Sequence, residues 1–346
     1  QFVDPFGGLL DLAKRRLRTP GRPEDSFGDD PLRMLRAARF AAQLGFTVAD
    51  DVVTAMREMA ERLRIVSAER IAAELNKLLL SPSPRTGLTL LVDTGIADVI
   101  LPELPALRLS IDPVHRHKDV YDHTLAVLER AMSLEPDGPD LTLRMAAVLH
   151  DIGKPKTRRF EDGGGVSFHH HEVVGRDLTR NRLATLKYPK TFIDDVATLV
   201  ELHLRFHGYA DAPWTDAGVR RYVRDAEHLL GRLHLLVRSD CTTRNRSKAD
   251  RLGRAYDDLE RRIAELAEQE ELDSIRPDLD GTDIMRVLDV APGRIVGQAR
   301  NHLLELRMER GPLPHEDALR ELLAWAATQG IEPPSYEEAL RRLDSV

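Results

Sequence analysis

The sequence is poor in cysteine, in aromatic residues and in long apolar runs. Its single cysteine, Cys241, can form neither an internal disulfide nor a cysteine-rich zinc site, so secreted disulfide scaffolds are excluded and a reducing, cytoplasmic setting is expected. No apolar run approaches the roughly 20 residues that cross a bilayer, and the opening residues QFVDPFGG lack the basic and hydrophobic parts of a signal peptide. The sequence therefore predicts no membrane partner.

Charged residues are plentiful, whereas the alternating pattern of β-strands is nearly absent. Of the 346 residues, 50 are Lys or Arg and 57 are Asp or Glu, which gives a formal net charge of −7. This composition predicts an all-α protein that is too long for one average domain. Proline and glycine positions divide it into a linker-like segment at 1–23, a helical neck or body at 24–110, a second helical block at 111–246 and a helical tail at 247–346. Because residue 1 is Gln and not Met, we expect the chain to begin inside a longer protein.

The second helical block places imidazole and carboxylate groups on apolar helix faces. These residues are His123, the adjacent pair His150 and Asp151, His171, His203 and Asp240. Taken singly, a buried histidine is more often a hydrogen-bonded core residue than a ligand. Taken together, the six groups need a common partner, because no Lys or Arg lies on the same apolar faces, and a divalent cation would satisfy them. Oxygen and imidazole ligands without thiolate favour Mg²⁺ or a divalent transition metal such as Mn, Fe, Co or Ni over structural zinc.

This order of residues, with the His-Asp pair in LHDIGKP, resembles the HD phosphohydrolase superfamily over about residues 119–246. The resemblance implies metal-dependent hydrolysis of phosphoesters. It assigns metal binding to His123, His150, Asp151 and Asp240, a phosphate contact and a candidate catalytic role to Lys154, and a second metal to His171 and His203.

The neck carries a row of arginines along one helix face. Asp30 precedes a proline, and Arg33, Arg36 and Arg39 follow at intervals of three residues. An Asp before Pro is also a favourable helix N-cap, and a row of arginines is often only a solvated face. However, the row has no alternating acidic residues on its own face, and residues 14–22 add five more basic side chains. An unneutralised row of this kind predicts binding of a polyphosphate or of a nucleic-acid backbone.

Three motifs, in order, resemble the neck of the bacterial class II CCA-adding tRNA nucleotidyltransferases and of the related poly(A) polymerases. DPFGGLLDL at 4–12 is similar to the segment that leaves their catalytic head. DDPLR at 29–33 resembles the nucleotide-selecting EDxxR motif, with Asp29 in place of Glu, and AERIAAEL at 68–75 resembles the ERxxxEL motif that buttresses the selecting helix. With ILPEL, the HD block and DLDGTDIMRVLDVAPGRIVG, the resemblance extends from Gln1 to about Trp325.

The resemblance implies that the chain is a portion of an enzyme that adds CMP, CMP and AMP to tRNA 3′ ends, using CTP, ATP and Mg²⁺. Asp30 and Arg33 suit the selection step, because a carboxylate accepts from the exocyclic amine of cytosine or adenine while a guanidinium donates to the ring nitrogen. Arg36 and Arg39 are then placed for the ribose or the triphosphate. The polymerising carboxylates of the family belong to the head and do not occur in this sequence, so we expect the chain alone to bind nucleotide weakly and not to extend tRNA.

Two alternatives remain open. One is a class II poly(A) polymerase, whose neck motifs are hardly different. The other is a metal-dependent HD phosphohydrolase that acts on 2′,3′-cyclic or 2′-phosphates and uses its neck only as a scaffold. The sequence makes no prediction about the oligomeric state.

Overall fold

The fold is all-α, as predicted. The computed structural model describes residues 3–109, 119–161, 165–211, 214–241, 246–270 and 277–344. In chain order, the helices of these residues are α1 (Gly8–Ala13), α2 (Pro23–Asp29), α3 (Leu32–Leu44), α4 (Asp50–Met59), α5 (Ala68–Leu79), α6 (Pro84–Asp93), α7 (Ile96–Ile100), α8 (Val120–Leu134), α9 (Leu141–Leu149), α10 (Lys154–Thr157), α11 (His171–Thr185), α12 (Lys190–Leu202), α13 (Arg205–Asp211), α14 (Asp216–Ala226), α15 (Leu230–Asp240), α16 (Arg246–Glu270), α17 (Gly281–Leu288), α18 (Arg294–Arg310), α19 (His315–Thr328) and α20 (Tyr336–Asp344). Short 3₁₀ helices occupy Ala60–Ile65, Pro105–Leu107 and Glu227–Leu229.

Four very short strands accompany the helices. They are β1 (Arg16–Leu17), β2 (Thr47–Val48), β3 (Arg159–Glu161) and β4 (Gly165–Ser167). β1 and β2 pair in parallel, with Arg16 opposite Thr47. β3 and β4 form an antiparallel hairpin in which Phe160 lies opposite Val166. β4 belongs to the glycine-rich EDGGGVSF segment, and β3 ends at its first residue, Glu161.

The contacts divide the chain into two compact units. One contains Gln1–Phe206 and His228–Asp250, and the other contains His207–Glu227 and Arg251–Val346. The predicted neck and the predicted second block thus belong to a single unit, whereas residues 207–227 group with the tail. The four segments read from the sequence stay a prediction about domains.

In the first unit, α9 is the central helix of the second block. Every residue from Leu143 to Leu149 is buried, and the helix packs against α8, α12 and α15. A helix that is apolar on all sides belongs in a core, so its end lies deep in the unit. In the neck, α3 packs against α5 and α6, and it ends at Gly45, whose φ of 64° is the left-handed geometry that glycine adopts without strain.

The second unit has its own hydrophobic core, formed by residues of α17, α18, α19 and α20. Its helix α17 begins with a capping box, in which Asp280 accepts from the backbone at Thr282 and Asp283 while the Asp283 carboxylate accepts from the Asp280 N–H. Among the described residues, no helix combines the length and the apolar character needed to cross a membrane.

The expectation that residues 1–23 are loop-like is wrong for α1 and β1. The Asp4 carboxylate accepts hydrogen bonds from the Gly8 and Leu9 N–H groups, and Gly7 takes a left-handed φ of 71° before the helix. Strand β1 forms only because residues 47 and 48 pair with it from 31 residues further along the chain. A local pattern contains no information about such a partner.

Candidate functional site

The six polar residues predicted to share a cation lie together where five helices begin or end. α8 carries His123, α9 is followed directly by His150 and Asp151, α11 begins at His171, α12 is followed by His203, and α15 ends at Asp240. Two groups of potential ligand atoms result, each with its atoms within 4.8 Å of one another: His123, His150 and Asp240 in one, and Asp151, His171 and His203 in the other.

Asp151 lies between the two groups and is almost wholly buried. Its Oδ2 is 3.5 Å from His123 Nε2 and 3.3 Å from His150 Nε2. Its Oδ1 is 3.3 Å from His171 Nε2 and 4.0 Å from His203 Nε2. One carboxylate therefore faces four imidazoles and can bridge two cation positions.

Asp240 closes the first group from the opposite helix. Its Oδ1 is 2.9 Å from His123 Nε2 and 3.7 Å from His150 Nε2. This carboxylate is only partly buried, so the first group is the one that solvent and small molecules reach.

Three imidazoles are held in one tautomer by the backbone. In His150, His171 and His203, Nδ1 lies 2.8, 2.8 and 2.6 Å from the carbonyl oxygen three residues earlier. A carbonyl only accepts, so Nδ1 carries the proton and the Nε2 lone pair points into the site. Within the described part of the chain, all three buried Nε2 atoms lack a hydrogen-bond partner. Orphaned nitrogens beside two carboxylates fit a divalent cation, and the Nδ1 bonds are the outer contacts that commonly orient metal-binding histidines.

Lys154 contacts this cluster directly. The expectation that no Lys or Arg accompanies the buried Asp and His is wrong, because Lys154 Nζ lies 2.6 Å from Asp151 Oδ2, one turn further along the chain. Burial raises the pKa of the Asp151 carboxyl, but the charges of His150 and Lys154 outweigh this effect and hold the pKa well below its usual value. Asp151 is therefore an anion at neutral pH.

The other buried imidazoles respond to the same charges differently. Burial, with a smaller effect from the charge of His150, lowers the pKa of His203 to about 3. Burial also opposes charge on His150, but the carboxylates of Asp151 and Asp240 raise the pKa of His150 above its ordinary value. The two carboxylates thus favour a positive charge beside His150, which a bound cation would supply. Burial keeps His203 neutral, and a histidine must be neutral to bind a metal.

A close backbone approach brings the two groups together. A Cβ on Gly153 would lie 2.0 Å from the His171 carbonyl oxygen and 2.8 Å from the Gly175 backbone nitrogen. Such distances are far inside van der Waals contact, so only glycine fits at position 153. The segment after Asp151 can therefore press against the start of α11, which carries His171.

The neck contains a cavity of about 360 Å³ beside the arginine row. Arg33 and Arg36 line it, together with Arg18, Phe40 and Ser26. Asp30 and Arg39 are not among its lining residues. Two of the four residues predicted to bind nucleotide, Arg33 and Arg36, thus line this cavity. The sequence analysis named Arg18 only as part of a basic cluster and gave Phe40 no role.

The prediction of an unneutralised arginine row is wrong. The buried carboxylate of Glu74 lies 2.6 Å from Arg39 Nε and 3.8 Å from Arg36 Nε. Arg39 is 13% exposed, so this ion pair occupies it. Glu74 comes from α5, a separate helix, and the spacing of residues on α3 cannot reveal it. The basic cluster at 14–22 is likewise partly neutralised, because Asp11 binds both Arg16 and Arg18.

Asp30 is held in place by α5 as well. Arg70 Nη2 donates to both carboxylate oxygens of Asp30, at 3.2 and 3.0 Å, and the Leu32 N–H donates to Oδ1 at 3.2 Å. The backbone of Asp30 is extended, so the residue lies between α2 and α3 rather than within a helix. Arg33 donates from Nη1 to the carbonyl and to the hydroxyl of Ser26. Of the residues of AERIAAEL, Arg70 thus orients the candidate selecting motif through Asp30, whereas Glu74 binds Arg36 and Arg39 further along α3.

Comparison with protein families finds two matches along the chain. Residues 45–107 match the family described as "Probable RNA and SrmB- binding site of polymerase A". Residues 120–272 match the HD domain family. The fold and the site together thus define an HD-domain protein whose helical neck matches an RNA-binding family of polymerase A. The family and the HD domain imply dependence on a divalent metal.

Two curated relatives and one solved structure are similar over most of the chain. The A-adding tRNA nucleotidyltransferase of Deinococcus radiodurans is 37% identical over 315 residues, 89% of this chain and 70% of the relative. The CC-adding tRNA nucleotidyltransferase of Thermus thermophilus is 34% identical over 328 residues, 92% of this chain and 71% of the relative. The CCA-adding enzyme of Bacillus stearothermophilus, solved with CTP, shares the fold with a TM-score of 0.61 at 22% identity, over 95% of this chain and 69% of that chain. The chain belongs to the tRNA nucleotidyltransferase family.

Proposed function

We propose that the chain forms the nucleotide-selecting and tRNA-binding part of an enzyme that adds CMP, CMP and AMP to tRNA 3′ ends. The observation that carries the proposal is the cavity lined by Arg33 and Arg36. Asp30 lies outside this lining, three residues before Arg33, and Arg70 fixes its carboxylate. The names of the Deinococcus and Thermus relatives support the same reaction class. CTP and ATP are the proposed nucleotide substrates, with Mg²⁺ acting at carboxylates that we expect outside these residues.

The hydrogen-bonding positions that remain free on Asp30 and Arg33 suit cytosine and adenine. A carboxylate offers about four acceptor positions, and Asp30 uses three of them for Arg70 and the Leu32 N–H. The remaining position can accept from an exocyclic amine. On Arg33, within the described residues, only Nη1 has partners, so Nε and Nη2 remain for a ring nitrogen. Uracil and guanine present a carbonyl and an N–H at these positions and leave both groups unmatched.

The arginines of α3 then divide into two roles. Arg36 is 44% exposed and lines the cavity, so it can contact the ribose or the triphosphate. Arg39 is bound to the buried Glu74, so we assign it a positioning role that holds α3 against α5.

Nucleotide binding by the 346-residue protein tests the selecting motif. We expect weak binding of CTP and ATP, weaker binding of UTP and GTP, and a loss of about 10-fold in CTP affinity on Arg33→Ala, as for one lost charge-assisted contact. Arg64→Ala is the control, because Arg64 forms only a surface ion pair with Glu61. An unchanged CTP affinity in Arg33→Ala, measured by isothermal titration calorimetry, would contradict the selecting role.

The product must be identified with a protein that contains this chain together with a polymerising head. Sequencing of tRNA 3′ ends after incubation with all four nucleotides distinguishes CCA addition from addition of A alone, of CC alone or of a poly(A) tail. We expect CCA. The 346-residue chain by itself should incorporate neither CMP nor AMP, and incorporation by it would contradict the assignment of the polymerising carboxylates to another segment.

The imidazole cluster supports a second activity, the metal-dependent hydrolysis of 2′,3′-cyclic or 2′-phosphates at RNA ends. We assign the metal to His123, His150, Asp151 and Asp240, with His171 and His203 as ligands of a second cation. A bound divalent ion would polarise a phosphoryl oxygen and make a bound water more acidic. Asp151, kept ionised by its neighbours, orients both sets of ligands, and Lys154 can turn from Asp151 towards a phosphate that enters the site.

Phosphate release from nucleoside 2′,3′-cyclic phosphates, with Mg²⁺, Mn²⁺, Co²⁺ or Ni²⁺ added, tests this activity and identifies the metal. We expect His150→Gln to lower the activity at least about 100-fold. It should also lower the amount of metal bound per protein, as measured by mass spectrometry. His228→Gln is the control, because His228 is an exposed residue that binds Asp195 at 3.0 Å. Equal activity in both variants would contradict the proposal.

A further inference from the structure

The segment that links the two halves of the imidazole cluster carries a concentration of positive charge. Residues 154–161, which we name the mouth segment, leave the site after Asp151, and β4 leads the chain back to His171. Four of its eight residues are basic and one is acidic. Lys154 contacts Asp151, so the segment begins at the site itself.

Two of these cations are available to a ligand. Lys156 and Arg159 are exposed, and among the described residues neither side chain has a hydrogen bond or an ion pair within the chain. The acidic residue of the segment, Glu161, accepts a hydrogen bond from the Ser167 hydroxyl of the neighbouring strand. Within the described residues, the side chains of Lys156 and Arg159 therefore have no acidic partner, in contrast to Arg39 in the neck.

An exposed aromatic ring stands among these cations. Phe160 is 59% exposed although it is large and apolar. The Arg158 guanidinium lies over its ring, 4.7 Å from the centroid, which fixes the orientation of the ring. Because side chains alternate along a strand, Phe160 lies on one face of β3 and Arg159 on the other, whereas Arg158 precedes the strand.

We propose that the mouth segment is a binding platform for single-stranded RNA, which it guides to the imidazole cluster. Cations that follow a phosphate backbone, beside an aromatic ring on which a base stacks, are the combination that sequence-tolerant binding of single strands requires. A free phosphate would need the cations but not Phe160, and a regular duplex buries the base faces that Phe160 would contact. Lys156 and Arg159 bind phosphates, and Phe160, on the other face of β3 from Arg159, stacks on a base where the RNA passes over the exposed hairpin. The inference rests on the proposed hydrolysis at RNA ends and adds the substrate class and its recognition surface.

Fluorescence anisotropy with a short labelled RNA that ends in a 2′,3′-cyclic phosphate tests the platform. The full 346-residue protein is used in EDTA, between about 50 and 200 mM salt. We expect Lys156→Ala/Arg159→Ala to weaken binding about 10-fold at the lower salt. The slope of log K against log salt should fall by about 1.4, the value for two single-strand phosphates. Phe160→Ala should weaken binding about 5-fold or more and leave the salt slope unchanged.

The matched control removes the same charge from another part of the first unit. Arg180→Ala/Lys190→Ala deletes two exposed cations that pair with Asp194 on α12, and its affinity should equal that of the wild type. All the substituted side chains are exposed, and circular dichroism melts verify that the variants fold. The platform is contradicted if both mouth-segment variants bind as the control does, or if a blunt duplex of the same length binds as tightly as the single strand.

These measurements distinguish a failure of the RNA-binding platform from a failure of the proposed hydrolysis. Affinity is measured without metal, so unchanged affinities contradict the platform whatever the activity is. If the wild type binds RNA through these residues but releases no phosphate from a cyclic mononucleotide with metal, the platform is supported and the proposed hydrolysis is contradicted.

Discussion

At the scale of single residues, Gly153 has the least freedom to change. Its backbone dihedral angles are helical, so alanine is not strained by φ and ψ. The constraint is purely spatial, because the His171 carbonyl oxygen occupies the place of a Cβ. We expect Gly153→Ala to lower the free energy of unfolding by about 3 kcal/mol or more, above the usual cost of overpacking because backbone must move. It should also weaken metal binding, because α11 and His171 are displaced.

Gly231→Ala in α15 is the control for this substitution. No atom lies within 4 Å of the Cβ position of Gly231, so alanine there should be neutral or stabilise by about 0.5 kcal/mol. Urea denaturation of the three proteins gives the comparison. Equal midpoints for wild type and Gly153→Ala would show that the two segments do not approach as closely as described.

His203 should make the metal-free protein sensitive to acid. Burial lowers the pKa of His203 to about 3 in the folded state, whereas an unfolded histidine titrates near 6.5. Between these values unfolding takes up a proton, so the contribution of His203 to stability is complete above pH 6.5 and is lost as the pH falls towards 3. The titration of His203 changes the free energy of unfolding by at most about 1.4 kcal/mol per pH unit.

Denaturation curves in EDTA between pH 7 and pH 4 measure this slope against His203→Gln, which does not titrate in that range. The wild type should lose stability more steeply than the variant as the pH falls. Parallel curves would mean that His203 is hydrated or already protonated in the folded protein.

At the scale of helices, α5 and α9 are tied together by one buried arginine. Arg144 of α9 donates to the carbonyls of Leu79 and Ser81 at the end of α5, at 2.8 and 3.0 Å. It also binds Glu135 through Nε and Nη2, at 2.8 and 2.7 Å. Removing the guanidinium leaves the two carbonyls without this donor and leaves the buried Glu135 carboxylate without its counter-charge, with the Asp140 N–H still donating to it at 3.1 Å. We expect Arg144→Met to cost about 3–5 kcal/mol of stability.

The double variant Arg144→Met/Glu135→Gln separates charge from packing. It should recover part of the loss, because no uncompensated charge remains buried. Arg232→Met is the comparison, since the ion pair of Arg232 with Asp140 is partly exposed and is worth about 1 kcal/mol or less. Thermal melts of the four proteins would refute this account if Arg144→Met were as mild as Arg232→Met.

The sequence predicts which face of a helix is buried but not which helices contact each other. Residues such as His150 and His203 were found because apolar spacing along a single helix predicts which face is buried. Glu74 and Arg70 contact Arg39 and Asp30 although they lie 35 and 40 residues further along the chain. These contacts depend on how α5 packs on α3, which a local pattern does not reveal. Lys154 was predicted to contact a phosphate and to be a candidate catalytic residue, but not to bind Asp151, because the turn at Gly153 that places it there has no periodic pattern.

At the scale of the whole molecule, the two compact units should respond differently to a divalent metal. Every candidate ligand lies in the first unit, whereas α17–α20 form a separate core in the second. A ligand that binds only the folded state adds RT ln(1 + [L]/Kd), or about 2.7 kcal/mol at 100 times Kd. Metal should therefore slow amide hydrogen exchange in α9, α12 and α15 and leave exchange in α17–α20 unchanged.

Hydrogen exchange with mass spectrometry, with and without Mn²⁺, measures both units in one sample. In Asp240→Asn the protection of α9 should no longer depend on metal, because the more accessible of the two ligand groups has lost its carboxylate. Uniform protection of both units would mean that the metal binds elsewhere or that the units unfold together. Protection confined to the helices that end at the imidazole cluster is the result expected if these six side chains hold the cation.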